Sequence, residues 1–459
     1  MQISFHGAVG HVTGSCSLVD SKGLKILIDC GLFQGGSKEE KKNYQPFGFD
    51  PGEVSAVIIT HAHLDHVGRL PLLVKRGFNG PIFATPATIK LAGLILRDAV
   101  SIMGYEFKKF NEPMLYDLDD VNAVESQFSI VDYGEKKEIS GQKSTKSKAN
   151  FIFHEAGHIF GSAFVELRAN NKTVVFSGDL GNTDVPILKE TANMPIGVDA
   201  VICESTYGGR IHEAHTNEER EQIIEKTIIS AIKRNGVLMI PSFALERTQQ
   251  LLYILNKLID RKHVIPALPI FLDSPLAINA TEIYRQYPQY YDSAAKKLYS
   301  ADDDLFSFSS LNVTKSVDES KKINNVAGPK IIIAGAGMMN GGRILHHAIR
   351  YMPDKNSTLL FIGYQANGTV GRRILEGEKQ IKIMGQKIPI RCFVEAIGAL
   401  SAHGDQNKIL DWIGGAKTLP KQVIFNHGEI DQSKIVADRL RQDLGLKVNI
   451  AEEKKKYLI

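Results

Sequence analysis

Three histidines and an aspartate crowd into six residues, His61-Ala62-His63-Leu64-Asp65-His66, directly after the β-branched run that ends at Thr60. One such residue would serve as a helix cap. Four ligand-type side chains at this density would repel one another or stay unsatisfied in a folded interior unless a cation drew them together. On the extended turn after the strand, His61 and His63 lie two apart, so both imidazoles can face one point. Asp65 and His66 open the helix predicted from Leu64 to Arg76 and can aim at a second nearby centre. Imidazole with carboxylate suits zinc, ahead of manganese or iron.

So short a strip cannot complete two coordination shells. Three further stretches offer ligands, each just past an apolar strand: His158 in HEAGHIFGSA, Asp179 in VVFSGDLG and His427 in VIFNHGE. Strand ends place side chains on one rim of a sheet, where these three can converge. Asp179 is the candidate bridge, since a carboxylate offers one oxygen to each of two cations. The run His154-Glu155-Ala156-Gly157-His158 also fits the H-E-x-x-H pattern of zinc proteases. That pattern works on a helix, and Gly157 and Gly161 oppose one. His158 is therefore retained as a ligand and His154 is not.

The rest of the chain is that of an ordinary globular protein. Of its 459 residues 43% are hydrophobic and 23% charged, which excludes disordered, collagen-like and disulfide-stapled classes. A net charge of +4 is too slight to argue for nucleic acid by bulk electrostatics, so that case needs a local site. Cys16, Cys30, Cys203 and Cys392 are far apart and form no CxxC pair, which points to a reducing compartment. With no secretory signal at the N-terminus and no long apolar run, the expectation is a cytoplasmic protein off the membrane. Up to Glu204 the chain reads as short strands joined by Gly- and Ser-rich turns, and the polar, basic stretch 134–150 as a solvated loop or hairpin tip. From about 216, helices alternate with the apolar strands GVLMIPSF, PIFLDS, KIIIAGAG and STLLFIGYQ, the pattern of a parallel sheet covered on both faces. Strand-like runs and two histidine sites return around 380. The α/β part, 209–376, is therefore expected to be inserted into a domain built from 1–208 and 377–459.

HAHLDH, with Asp29 in LIDCG, His158 in GHIFGSA and Asp179 in SGDLG, resembles the four motifs of the metallo-β-lactamase fold. Glu204 in ESTYGGR, His403 in ALSAHGD and His427 in NHGE resemble the three added motifs of its β-CASP branch. That branch holds the pre-mRNA cleavage endonuclease, ribonuclease J and related bacterial and archaeal nucleases. The expectation is a member shorter than ribonuclease J and without the N-terminal KH modules of archaeal relatives. The resemblance implies an α/β fold: an αββα sandwich carrying an inserted Rossmann-like parallel β-CASP domain.

It also implies two Zn²⁺ ions per chain, with Mn²⁺ as the alternative. His61, His63 and His158 would hold one, Asp65, His66 and His427 the other, with Asp179 bridging and Asp29 supporting from behind. A hydroxide shared by the metals would attack phosphorus. His403, partnered by Glu204, would protonate the leaving oxygen as general acid, leaving 5′-phosphate and 3′-hydroxyl ends. Histidine at 427 resembles the RNA-cleaving rather than the DNA-repair branch, so RNA is the expected substrate, and relatives that pair suggest a homodimer. Ser401 and, in the strand-end loops of the insert, Arg247, Arg343, Arg372 and Arg373 are candidate phosphate contacts. Two other functions compete: a thioester or lactone hydrolase of the same fold, which needs neither insert nor His403, and a non-catalytic RNA-binding scaffold, whose kind has lost ligands that are all present here.

Overall fold

A computed structural model of the chain describes residues 1–141, 147–211, 216–266, 268–302, 304–363, 365–366, 368–397 and 403–459. It divides into two compact units, one of Met1–Thr183, Glu190–Ile211 and His403–Ile459, the other of Asp184–Lys189 and His212–Ala402.

The first unit holds two seven-stranded sheets. One runs from edge to edge through Lys456–Leu458, Gln2–Phe5, Ser17–Ser21, Leu24–Ile28, Val54–Ile58, Ile82–Ala84 and Phe128–Ile130. The other runs Lys447–Ile450, Gln422–Phe425, Ala200–Cys203, Lys172–Phe176, Ala163–Ala169, Lys148–Glu155 and Lys136–Ser140. Val54–Ile58 is buried at every position, which explains its unbroken run of small and branched side chains. Between the sheets, Ile26 and Ile58 share one core with Phe151, Phe153, Val165 and Phe176. Outside the second sheet, Trp412, Ile413, Val436 and Leu440 of two helices pack on Val201 and Val423. Beside the first lies the helix Pro86–Phe110, started by proline at its first turn and by Thr85, whose side chain accepts from Thr88 N. The result is the expected αββα layering.

Each sheet pairs antiparallel strands on one side with parallel strands on the other. Leu24–Ile28, Val54–Ile58 and Ile82–Ala84 are parallel, as are Lys172–Phe176, Ala200–Cys203 and Gln422–Phe425. Parallel strands end together, so the residues just past Ile28, Ile58, Phe176, Cys203 and Phe425 gather at one rim, where α/β proteins characteristically build sites.

The second unit is a six-stranded, all-parallel sheet in the order Leu311–Val313, Ile270–Asp273, Lys330–Ala334, Val237–Pro241, Thr358–Phe361, Phe393–Ala396. Its far edge lies beyond the 376 read from sequence. Phe393–Ala396 pairs with Thr358–Phe361, and the hairpin Gln380–Ile383/Gln386–Pro389 buries Ile381, Ile383 and Ile388 in a core with Ile332 and Leu359. The strand pattern around 380 is real, but its apolar face belongs to this core. Asp184–Lys189 joins the same unit, with Leu188 bridged to Tyr291. The stretch 134–150 contributes paired strands, Lys136–Ser140 against Lys148–Glu155, and its 142–146 lies outside the described residues. Among the described residues no helix is long and apolar enough to cross a membrane.

Candidate metal centre

Asp29 follows Leu24–Ile28 in a left-handed conformation, φ 59°, which aspartate tolerates better than most residues. Its carboxylate accepts from Thr60 N at 2.8 Å, Thr60 Oγ1 at 2.9 Å and His66 Nδ1 at 2.7 Å. Gly31 then lets the chain touch the histidine turn: a Cβ there would lie 1.5 Å from Asp65 O. Across this approach Cys30 N donates to His66 O and Leu32 N to Leu64 O. His66 spends Nδ1 on Asp29, and His61 Nδ1 lies 3.0 Å from Thr60 Oγ1. Both rings are thereby oriented with Nε2 inward, the usual arrangement behind a metal-bound histidine.

The donor atoms form two groups that share Asp179. His61 Nε2 and His158 Nε2 each lie 3.2 Å from His63 Nδ1, and 3.5 and 3.6 Å from Asp179 Oδ2. On the other side, His66 Nε2 and His427 Nδ1 both lie 3.4 Å from Asp179 Oδ1, and His427 Nε2 lies 3.5 Å from Asp65 Oδ2. The two contacts to His63 are at the long limit of hydrogen bonds, and the gaps of 3.4–3.6 Å are beyond it. They match the edges of a tetrahedron of ligands about 2.0–2.1 Å from a central zinc, which are roughly 3.3–3.4 Å. His66 Nε2, Asp179 Oδ1 and both His427 ring nitrogens are buried without a hydrogen-bond partner among the described residues. Interiors rarely leave such atoms orphaned, so a cation in each group fits the donors present. His427 also carries a left-handed φ of 63°, strain of the kind that collects at functional sites.

Burial holds His61 well below the ordinary imidazole value and His63 down to about 4, so both are neutral, the form that binds metal. Burial opposes ionisation of Asp179, but the surrounding imidazoles, His427 and His66 foremost, pull it well below the carboxylate range. His66 goes the other way: burial disfavours its charge, and Asp179 and Asp29 together raise it.

At the edge of the cluster, His403 Nδ1 lies 3.2 Å from Glu204 Oε2 and 3.8 Å from Asp179 Oδ2. Glu204 is fixed in turn by Leu180 N, which donates to Oε1 at 2.6 Å. Burial works against charge on His403, yet Glu204 and Asp179 hold the imidazolium up to about 9.

Every sequence-derived ligand thus reaches one cluster, and Asp29, Glu204 and His403 border it. His154 stays outside: it sits on the strand Lys148–Glu155, pairs with Glu166 at 2.9 Å and stacks on Phe164. The arginines of the second unit turn to the protein. Arg247 is buried and donates to Gln250. Arg343 donates to Asp273 and to the carbonyls of Thr314 and Lys315. Arg372 pairs with Glu376 and Arg373 with Glu378. Ser401 lies outside the described residues. Sequence reasoning gave no role to Thr60, which ties Asp29 to His61; its place directly before the histidine strip was the available signal.

The chain matches the Metallo-beta-lactamase superfamily over residues 9–207, the Beta-Casp domain over 248–374 and the Zn-dependent metallo-hydrolase RNA specificity domain over 387–451. It is 37% identical over 453 residues to Ribonuclease TTHA0252 of Thermus thermophilus, covering 98% of each chain. The chain is a β-CASP member of the metallo-β-lactamase superfamily. Another relative of this β-CASP protein is the Transcription termination factor FttA of Methanosarcina mazei, 31% identical over 94% of this chain and 67% of that one. In fold alone it resembles the crystal structure of a protein of unknown function from Enterococcus faecalis V583, with a TM-score of 0.55 at 12% identity, covering 100% of this chain and 99% of that one. Membership in this superfamily implies divalent metal at the cluster, in line with the donor set.

Proposed function

We propose that the chain is a two-zinc ribonuclease that hydrolyses RNA phosphodiesters to 5′-phosphate and 3′-hydroxyl ends. The carrying observation is Asp179, whose two oxygens each face a separate set of donors at metal-sized separations. His61, His63, His158 and Asp179 Oδ2 would hold one ion; Asp65, His66, His427 and Asp179 Oδ1 the other. When bound, the cations supply Lewis acidity: they make water acidic enough to serve as a nucleophile near neutral pH and neutralise charge on the phosphate. His403 does the remaining proton work. Glu204 occupies Nδ1, so Nε2 carries the proton that passes to the departing 3′-oxygen of the ribose. Asp29 and Thr60 keep His66 and His61 turned inward. RNA is the favoured substrate because His427 is retained and because a relative covered end to end is named a ribonuclease. Buried free cysteines agree with a cytoplasmic setting, which we also propose.

The test is RNA labelled at the 5′ or 3′ end, incubated with protein as purified, after chelation, and after zinc is returned. We expect about two zinc ions per chain by elemental analysis, cleavage that chelation abolishes and zinc restores, and new 5′-phosphates. A metal-loaded protein that opens lactones or thioesters but leaves RNA intact would reverse the reading.

A further inference from the structure

The side-chain torsion that turns an imidazole about its own bond is broad and soft. The Glu204 carboxylate on Nδ1 orients the His403 ring, but at 3.2 Å, long for a charge-assisted bond, it leaves the plane room to rock. That plane decides where Nε2 points. Among the described residues, two other rings touch His403: His158, at 4.5 Å between centroids, and Tyr207, at 6.0 Å with the planes 70° apart.

Tyr207 is itself held firmly. It lies three residues after Glu204, and its ring is buried with the Arg210 guanidinium 5.7 Å away. The turn carrying both residues is closed by Ser205 N to His427 O, Gly208 N to Ser205 O and Arg210 N to Tyr207 O. Gly208 lets that turn press against the helix Ile430–Leu444: a Cβ there would lie 2.7 Å from both Gln432 O and Val436 Cγ1. Beyond the turn, Tyr207 bridges Asp405 in parallel register, and Gln406 N donates to Arg210 O. One short segment therefore delivers the carboxylate to Nδ1 and a T-shaped aromatic contact to the ring.

We propose that Tyr207 is a positioning residue for proton transfer: its ring, T-shaped against that of His403, holds the imidazole plane so that Nε2 meets the leaving oxygen. The proposal assigns the role to the ring, whose contact with His403 a phenylalanine would keep. The proposal rests on the nuclease reading above, and its test separates the two.

Tyr207→Phe and Tyr207→Leu are compared with wild type on an RNA oligonucleotide and on bis(4-nitrophenyl) phosphate, whose phenolate leaves without needing a proton. On RNA, kcat of Tyr207→Phe is expected within about threefold of wild type, while that of Tyr207→Leu falls by about tenfold or more, part of the usual acid–base contribution. KM, bound metal and turnover of the activated diester should stay unchanged in both variants. The proposal is overturned if Tyr207→Leu slows both substrates alike, if it keeps its kcat on RNA, or if Tyr207→Phe is as slow as Tyr207→Leu. Those outcomes require an active wild type. A metal-loaded wild type inert toward RNA would instead remove the nuclease reading.

Discussion

Asp179 and Asp273 look alike in sequence. Each stands at or just past the end of an apolar strand, and each ends up buried and faced by histidine. Their surroundings differ in one quantity. Around Asp273 the contacts are closed: His347 Nε2 at 2.7 Å, Arg343 Nη1 at 2.7 Å, Thr314 Oγ1 at 2.7 Å and Ser320 Oγ at 2.6 Å. Around Asp179 the imidazoles of His61, His66, His158 and His427 stand off at 3.4–3.6 Å and that of His403 at 3.8 Å, and Oδ1 has no hydrogen bond. One carboxylate is saturated by the protein, while the other is left for something the protein must bind. Residue type does not separate a structural ion network from a metal centre; satisfaction of the buried atoms does.

The sharpest break in the comparison is to remove each carboxylate. Asp179→Ala should lose zinc by elemental analysis and RNA cleavage by at least about 10³-fold, the scale of losing a group on which the whole constellation depends. Any loss in its unfolding stability should come from the missing ions and the imidazoles left facing one another, not from a native hydrogen bond to Oδ1, which has none. Next in size is His403→Ala, which should leave bound zinc unchanged and slow cleavage by roughly 100-fold or more. Full activity with intact metal would strip His403 of its role. Asp273→Ala should do the reverse of Asp179→Ala: bound zinc per folded chain stays the same, and denaturant unfolding shows a loss of about 3 kcal/mol, the cost of leaving a buried cationic partner unpaired.

How far the sequence could be read follows the same division. The donor cluster was legible because HAHLDH packs its candidate ligands locally and because the distant members, His158, Asp179 and His427, sit past the ends of strands that are themselves readable. The alternation of helix and apolar strand likewise announced the parallel sheet. What stayed hidden was partnership over distance. Arg343, after a glycine cluster, looked free to meet phosphate; its carboxylate partner Asp273 lies 70 positions earlier. The compact unit around the insert runs on past 376, which alternation in 380–396 could not announce, since it shows strands without showing which core they cover. Thr60 has chemistry too common to stand out, and only the fold brings Asp29 within reach of it.

The finest test of the comparison uses acid. Burial opposes the charge on Asp273, but His347, Ser320, Thr314 and Arg343 outweigh it and hold the carboxylate well below its ordinary range. The unfolded chain therefore takes up this proton first, near the ordinary carboxylate value of about 3.9. Stabilisation from the network is thus complete above that value and drains away as pH falls through and below it. Wild type and Asp273→Asn, compared by denaturant unfolding, should differ most at neutral pH and converge below pH about 4. A gap that widened in acid would mean the carboxylate is already protonated in the folded state. Asp273 would then be a hydrogen-bond donor rather than the centre of an ion network, and its contrast with Asp179 would have to rest on geometry alone.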